Sequence, residues 1–167
     1  MTPTETSPAK GQASQDTGPA VRAFARLLRA HASTTRLLSA ELHEEHNLTI
    51  NDYETLLVLS RADDHRLKRV ELARTLLLTP SGITRLLEGL QDAGLVARES
   101  CTSDLRVTYA RLTDAGAERL AAASSSHIAS ITALFEAHLS ENEITGLADA
   151  LDKLPGVSNS SDACGAT

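Results

Sequence analysis

Three polar residues in the middle of the chain are spaced so that they share one face of a helix. Ser81, Thr84 and Arg85 lie three and four residues apart, the spacing of neighbours on a helix surface. Hydroxyl groups and arginine can hydrogen-bond phosphates and the edges of bases. Thr79 suits the N-cap and Pro80 the first helical position, where free backbone N–H groups favour an anion. The pattern favours contacts with a polyanion.

A short predicted helix and a hairpin flank this helix and must position it. The helix is predicted to end at Ala93, because Gly94 suits the residue after a helix. Its apolar residues are Ile83, Leu86, Leu87 and Leu90. A short helix is predicted over Arg69–Leu78. Leu95–Glu99 and Arg106–Leu112 are predicted as paired strands with Ser100–Leu105 at the tip. The order is typical of a winged helix-turn-helix.

Long amphipathic helices are predicted outside this middle block. Apolar residues at three- and four-residue steps predict one helix over about 20–46. Asn51 and Glu54 form a capping-box pattern for a second helix that ends near Arg61, before a turn at 63–65. Thr113 is predicted to cap a helix to about His138, and Ser140 with Glu143 a last helix over 141–153. The fold class is therefore mainly α.

The composition fits one soluble domain with two tails. The chain has 167 residues, a net charge of −6 and only 2% aromatic residues, which predicts an aliphatic core. Polar, aperiodic tails are predicted over 1–18 and 155–167, leaving a single domain over 19–154. Residues 61–112 hold nine basic and seven acidic side chains, a locally positive segment in an acidic chain. No apolar run predicts a signal peptide or a membrane span, so the cytoplasm is expected.

Several ordered motifs together resemble the MarR family of transcription regulators. They are LTPSGITRLLEGLQDAGLV for the second helix of the pair, DLR (Asp104–Arg106) in the wing, and the closing LTDAG of Leu112–Gly116. The resemblance covers about 19–154. It implies a winged helix-turn-helix fold, with a DNA-binding lobe over 62–112 that carries a small two- to three-stranded wing, and dimerisation helices over 19–61 and 113–154. It also implies a homodimer on a pseudo-palindromic double-stranded DNA operator, acting as a repressor relieved by a small molecule.

The resemblance assigns roles to particular residues. It implies that Ser81, Thr84 and Arg85 face the major groove, that Arg106 enters the minor groove and that Asp104 orients the wing. The remaining DNA-contact candidates are Thr79, Arg69 and Arg98, with Arg66, Lys68 and Arg74 as phosphate contacts or solubilising charges. Gly82 departs from the family pattern, where serine or alanine is common, and it weakens the helix by roughly 1 kcal/mol relative to alanine.

An effector pocket is a further implication of the resemblance. Family members often bind small aromatic or phenolic acids between the dimerisation helices and the DNA-binding lobe. The candidate lining residues here are His31, Arg36, Tyr53 and Leu57, each of which also has an ordinary structural interpretation. The few aromatic residues leave little to stack against a ring.

Other kinds of function have weaker patterns. His43 and His46 have a spacing that can hold a metal, but a polar helix end explains it, and His127 and His138 lie about 16 Å apart by helical rise. The two cysteines are the candidates for redox sensing: Cys101 lies in the predicted wing and Cys164 in the C-terminal tail. A winged helix that binds protein instead of DNA, or a metal- or redox-responsive family member, remains an alternative. No catalytic motif, metal ligand set or cofactor site is predicted.

Overall fold

The computed structural model describes residues 18–100 and 107–155. Within them the chain forms six α-helices and three β-strands. In chain order the elements are α1 (Pro19–His46), α2 (Ile50–Arg61), a 3₁₀ turn (Asp63–His65), β1 (Arg66–Lys68), α3 (Arg69–Thr75), α4 (Pro80–Asp92), β2 (Val96–Ser100), β3 (Thr108–Leu112), α5 (Asp114–Glu136) and α6 (Glu141–Leu151). The mainly helical fold with a small sheet is confirmed.

The sheet has three antiparallel strands in the order β1-β3-β2. Ala97 of β2 and Arg66 of β1 both pair with Arg111, on opposite sides of the central strand β3. The hairpin of β2 and β3 agrees with the predicted pair, whereas the three-residue strand β1 is too short to give an alternating pattern in the sequence. Among the described residues β3 covers Thr108–Leu112; Arg106, the predicted start of this strand, lies outside them.

The described residues separate into two compact units, 18–34 and the remainder from Thr35 onward. The first unit is the N-terminal part of α1, and its large apolar side chains are exposed: Val21, Phe24, Leu27 and Leu28. The second unit contains an aliphatic core, as predicted. The core is formed by side chains of α2, α3, α4, α5 and the sheet, including Leu56, Leu59, Leu72, Ile83, Leu90, Val96 and Leu120.

The predicted start of α2 at an Asn51–Glu54 capping box is wrong. Thr49 is the N-cap: its Oγ1 accepts a hydrogen bond from the backbone N–H of Asp52 at 3.2 Å. The Asp52 carboxylate accepts in return from the backbone N–H of Thr49 at 2.8 Å. A threonine and an acid three residues apart satisfy the N–H groups of Thr49 and Asp52 and start the helix two residues earlier than the asparagine would. Asn51 lies within the helix, where its carbonyl accepts from the Thr55 hydroxyl.

The predicted helix over Arg69–Leu78 is also too long, because α3 ends at Thr75. Leu77 has a φ of 52° and ends the helical path, while the Leu78 N–H donates to the carbonyl of Ala73 at 2.9 Å. This is the closing hydrogen-bond pattern usually seen with glycine in the left-handed position. Three consecutive leucines predict a continuing helix because leucine is a strong helix former.

The predicted starts of three helices are confirmed. Thr79 caps α4 through the N–H of Gly82, Thr113 caps α5 through the N–H of Gly116, and Ser140 with Glu143 forms the capping box of α6. Gly94, with a φ of 72°, follows α4 as expected. α5 and α6 end two residues earlier than predicted, at Glu136 and Leu151.

Candidate nucleic-acid interface

One face of α4 is buried and the opposite face is open. Ile83, Leu87 and Leu90 are buried in the core, because they recur at the three- and four-residue steps of one helix face. Ser81 and Arg85 are exposed on another face of the same helix. The burial of the apolar residues therefore fixes which side chains α4 can present to a partner.

Hydroxyl groups are concentrated at the N-terminus of α4. The Thr79 Oγ1 accepts from the Gly82 N–H at 3.1 Å and lies 3.3 Å from the Ser81 Oγ. The Thr84 hydroxyl donates to the Pro80 carbonyl at 2.8 Å. The cap satisfies the Gly82 N–H, and the Ile83 N–H donates to the Thr79 carbonyl at 3.0 Å. Because proline has no N–H, the Ser81 N–H is the first-turn donor left among the described residues for an anion.

Arg85 is the exposed cation of this face. No hydrogen bond or ion pair joins its guanidinium to another residue in 18–100 or 107–155. A guanidinium without a local partner retains its planar fork of donors for a guanine edge or a phosphate. The geometry of Arg85 is therefore compatible with the role that the sequence predicts.

The other basic residues of the lobe differ in their surroundings. Arg66 donates to Glu99 at 2.5 Å, lies 3.4 Å from Asp64 and covers the Tyr109 ring at 5.2 Å. Lys68 lies 3.5 Å from Glu71. These contacts hold both cations against the sheet and α3, which favours a structural role over the phosphate contact considered for them.

Arg69, Arg74 and Arg98 are exposed. Arg69 begins α3, and its Nη1 donates to the Thr84 Oγ1 of α4 at 3.3 Å. Arg98 lies on β2 opposite Ala110 of β3. Asp104 and Arg106, the predicted wing residues, lie outside the described residues, as do Cys101 and Cys164.

The predicted effector residues have different environments. Tyr53 is buried, donates to the Ser124 Oγ at 3.3 Å and meets the His127 ring edge-on at 4.7 Å. Leu57 is partly buried against the core, whereas Arg36 is exposed on α1. His31 is exposed in the first unit. Two open clefts, of about 450 and 420 Å³, include none of the four residues in their walls.

Histidines of α1 and α5 contribute to a polar contact between these helices. The His46 Nε2 lies 2.8 Å from the Ser126 Oγ, and His127 is buried beside Glu41. Burial lowers the pKa of His127, and the negative charge of Glu41 opposes that shift. One carboxylate oxygen of Glu41 is buried without a hydrogen-bond partner among the described residues. Over 18–100 and 107–155, no three His, Cys, Asp or Glu side chains are grouped to hold a metal ion.

Sequence reasoning missed the contacts between distant residues, and two of them show why. One is the Arg69–Thr84 hydrogen bond. The other is the bond from the Arg119 Nη1 to the His46 carbonyl at 2.6 Å, which satisfies a free carbonyl at the end of α1. Residues 46 and 119 are 73 positions apart, so no local pattern could indicate their contact.

The short helix α3, the capped helix α4 and the antiparallel sheet define a winged helix-turn-helix, a class of DNA-binding proteins. Comparison with known proteins agrees. Residues 46–106 match the model of the MarR family. The transcriptional repressor YetL of Bacillus subtilis is 34% identical over 64% of this chain and 66% of its own length.

Two solved structures from Streptomyces coelicolor are also similar. AbsC, a MarR family transcriptional regulator, is 33% identical, with a TM-score of 0.64 over 75% of this chain and 86% of AbsC. Sco3205, solved in complex with DNA, is 23% identical, with a TM-score of 0.73 over 83% of this chain and 89% of Sco3205. The chain belongs to the MarR family of DNA-binding transcriptional regulators, which are not enzymes. None of the described helices is long and apolar enough to cross a membrane.

Proposed function

We propose that this protein represses transcription as a homodimer that binds a pseudo-palindromic operator in double-stranded DNA. The observation that carries the proposal is the exposed face of α4, with Ser81 at its capped N-terminus and Arg85 one turn further. A helix presented in this way enters the major groove with its N-terminal residues at the base edges. The DNA complex of Sco3205, which has the same fold, and the repressor YetL support the proposal. We place the protein in the cytoplasm, where it would meet chromosomal DNA.

Apolar surface at both ends of the chain supports the homodimer. In the first unit, Val21, Phe24 and Leu28 are exposed on α1. In the second unit, α6 has no buried residue, although its apolar residues are spaced for one face. An isolated eleven-residue helix is marginal in water, so α6 needs a packing partner. A second copy would supply one and would present two recognition helices about 34 Å apart, one turn of DNA.

The effector response is a separate part of the proposal. A small aromatic or acidic molecule would release the operator if it bound more tightly to a dimer whose recognition helices do not fit successive grooves. Within the second unit, the residues proposed to line the pocket are Arg36, Tyr53 and Leu57. A candidate molecule that leaves operator affinity unchanged at saturation is thereby excluded as the effector.

The test is selection of bound sequences from random duplexes, followed by a salt titration of the best duplex. We expect a motif with two-fold symmetry, a dimer in the complex, and an affinity that falls steeply with salt because phosphate contacts release counterions. Repression is tested by placing the selected motif in a reporter promoter. A folded protein that enriches no motif and instead binds a protein partner without salt dependence would overturn the DNA-binding proposal.

A further inference from the structure

The hydroxyl group of Thr84 is already engaged within the protein. A threonine hydroxyl has one hydrogen to donate and two lone pairs to accept with. The hydrogen is directed to the Pro80 carbonyl at 2.8 Å, and the oxygen accepts from the Arg69 Nη1 at 3.3 Å. One lone pair remains, and no hydrogen is left to donate to a base. These hydrogen bonds engage only the hydroxyl of Thr84, so its methyl group is the part of the side chain that can contact a base.

Arg69 restricts the conformation of Thr84. Threonine in a helix divides between two χ1 rotamers, because its hydroxyl can bond the preceding turn. The hydrogen bond from Arg69, which begins α3, favours the rotamer that directs Oγ1 toward that arginine. Arg69 is exposed and retains further N–H donors for a phosphate. One residue of α3 thus fixes the orientation of a side chain on α4.

We propose that Thr84 recognises a thymine through methyl–methyl contact, and that Arg69 is the positioning residue that holds Thr84 in that orientation. The inference rests on the proposed function, in which α4 enters the major groove. In that groove the C5-methyl of thymine is the apolar group that a base pair presents, and a threonine methyl is a suitable contact for it. A hydroxyl that has no hydrogen to offer makes a poor reader of the purine N7 and O6 acceptors.

The test removes the thymine methyl without changing any hydrogen-bonding group. In the selected duplex, each thymine is replaced in turn by deoxyuridine, symmetrically in both half-sites, and the Kd ratio of uracil to thymine duplex is measured. We expect one position where the ratio is about four per half-site, the effect of one buried methyl. Thr84→Ser, which keeps the hydroxyl, should bring that ratio to about one. Thr84→Val, which keeps the methyl, should preserve it.

Thr75→Ser is the matched control. Thr75 is an exposed threonine of α3 whose hydroxyl also donates to a carbonyl four residues earlier, that of Glu71. Its substitution removes a methyl from the same kind of side chain in the neighbouring helix. The uracil-to-thymine ratio should be unchanged in this variant.

The role of Arg69 is tested with the same ratio. Arg69→Met should lower the uracil-to-thymine ratio. Arg69→Lys, which keeps an N–H donor and the charge, should leave the ratio close to that of the wild type. In the Thr84→Val background, Arg69→Met should not change the ratio, because no hydroxyl is present to be held. A loss of affinity that is equal for both duplexes would show that Arg69 contacts only phosphate and would overturn its positioning role.

The failure of this inference differs from the failure of the proposed function. A protein that enriches no duplex overturns both. A protein that binds its selected duplex, but whose uracil-to-thymine ratio stays near one everywhere or is unaffected by Thr84→Ser, overturns the methyl contact and leaves DNA recognition intact. Circular dichroism of each variant confirms that the fold is retained.

Discussion

Arg85 is the residue whose side chain can best distinguish base reading from simple charge attraction. Its guanidinium has no partner among the described residues, so both arms of the fork are available. Arg85→Ala should cost about 1–3 kcal/mol in operator binding and relax the preference at one base pair. Arg85→Lys is the matched variant, because it keeps the charge and loses the planar fork.

The two Arg85 variants are compared by repeating the duplex selection. Arg85→Lys should show the same loss of base preference as Arg85→Ala while retaining the salt dependence of the wild type. If both variants keep the wild-type motif and only bind more weakly, Arg85 is a phosphate contact.

Leu77 stores strain at the turn between α3 and α4. Its φ of 52° lies in the left-handed region, and its side chain is 90% exposed, so little burial offsets the unfavourable backbone. The left-handed conformation costs an ordinary residue about 1–2 kcal/mol, and glycine adopts it without that cost. Leu77→Gly should therefore raise the free energy of unfolding by about 0.5–1 kcal/mol, after the greater freedom of glycine in the unfolded chain is subtracted.

Urea denaturation checks this prediction, with Leu76→Gly as the control. Leu76 has a φ of −87° and packs partly buried against the core, so its replacement should destabilise the protein. A Leu77→Gly variant no more stable than the wild type would mean that the leucine makes a stabilising contact that compensates for its backbone.

His127 should make the stability depend on pH. Burial lowers its pKa below the ordinary value of 6.5, so the unfolded chain takes up the proton more readily than the folded protein. Stability from the neutral histidine is fully present above pH 6.5. It is lost progressively as the pH falls from about 6.5 toward the lower folded pKa. The free energy of unfolding should therefore decrease across this interval.

The measurement is urea denaturation at several values between pH 5 and pH 8 for the wild type and His127→Gln. In His127→Gln the free energy of unfolding should fall less than in the wild type as the pH is lowered. His138→Gln is the control: His138 is exposed two residues beyond the end of α5, and its variant should show the same pH dependence as the wild type. An unchanged slope in His127→Gln would assign the effect to another group.

At the scale of elements, Gly116 determines how closely α5 approaches the start of the wing. A β-carbon at this position would overlap the Leu95 carbonyl oxygen and crowd the Leu112 side chain. The same carbonyl accepts from the N–H of Thr113, so it cannot move freely. Gly116→Ala should lower the free energy of unfolding by about 1–3 kcal/mol through overpacking.

Gly146→Ala is the matched variant, and it should raise the free energy of unfolding where Gly116→Ala lowers it. Gly146 lies within α6, and an added β-carbon meets no atom within 4 Å. Alanine there should stabilise the helix by up to about 1 kcal/mol. If Gly116→Ala is as stable as Gly146→Ala, the approach of α5 to Leu95 is not constrained as the structure indicates.

Elements with a local cause could be predicted from the sequence, whereas those set by distant contacts could not. Thr79 with Pro80, and Ser140 with Glu143, mark helix starts because the capping groups lie within four residues of each other. The end of α3 could not be predicted, because a leucine adopts the glycine-like conformation to direct the chain into α4. Strand β1 exists through its pairing with β3, more than forty residues away.

The same distinction applies to the candidate site. Ser81, Thr84 and Arg85 could be identified from helical spacing, since only one face of α4 is apolar. The hydrogen bond that fixes Thr84 comes from a different helix, and its chemical consequence depends on two simultaneous bonds to one oxygen. Spacing indicates which residues are presented, but the three-dimensional contacts decide which of their atoms remain available.

At the scale of the whole molecule, the proposed dimer depends on apolar residues that the single chain leaves uncovered. On α6, Ile144, Leu147 and Leu151 follow three- and four-residue steps, and Leu147 is 39% exposed. Leu147→Glu should shift the protein from dimer to monomer at micromolar concentration, because it would bury a charge without a partner in an apolar interface. Operator affinity should fall in parallel, since a monomer reads only one half-site.

Sedimentation velocity measures the change, and Thr145→Glu is the matched control. Thr145 is exposed on the same helix outside the apolar stripe, so the same charge there should leave the dimer intact. Circular dichroism of both variants separates loss of the dimer from loss of the fold. If Leu147→Glu remains a dimer with wild-type operator affinity, α6 does not pack against a second copy, and the first unit of α1 becomes the remaining candidate for the interface.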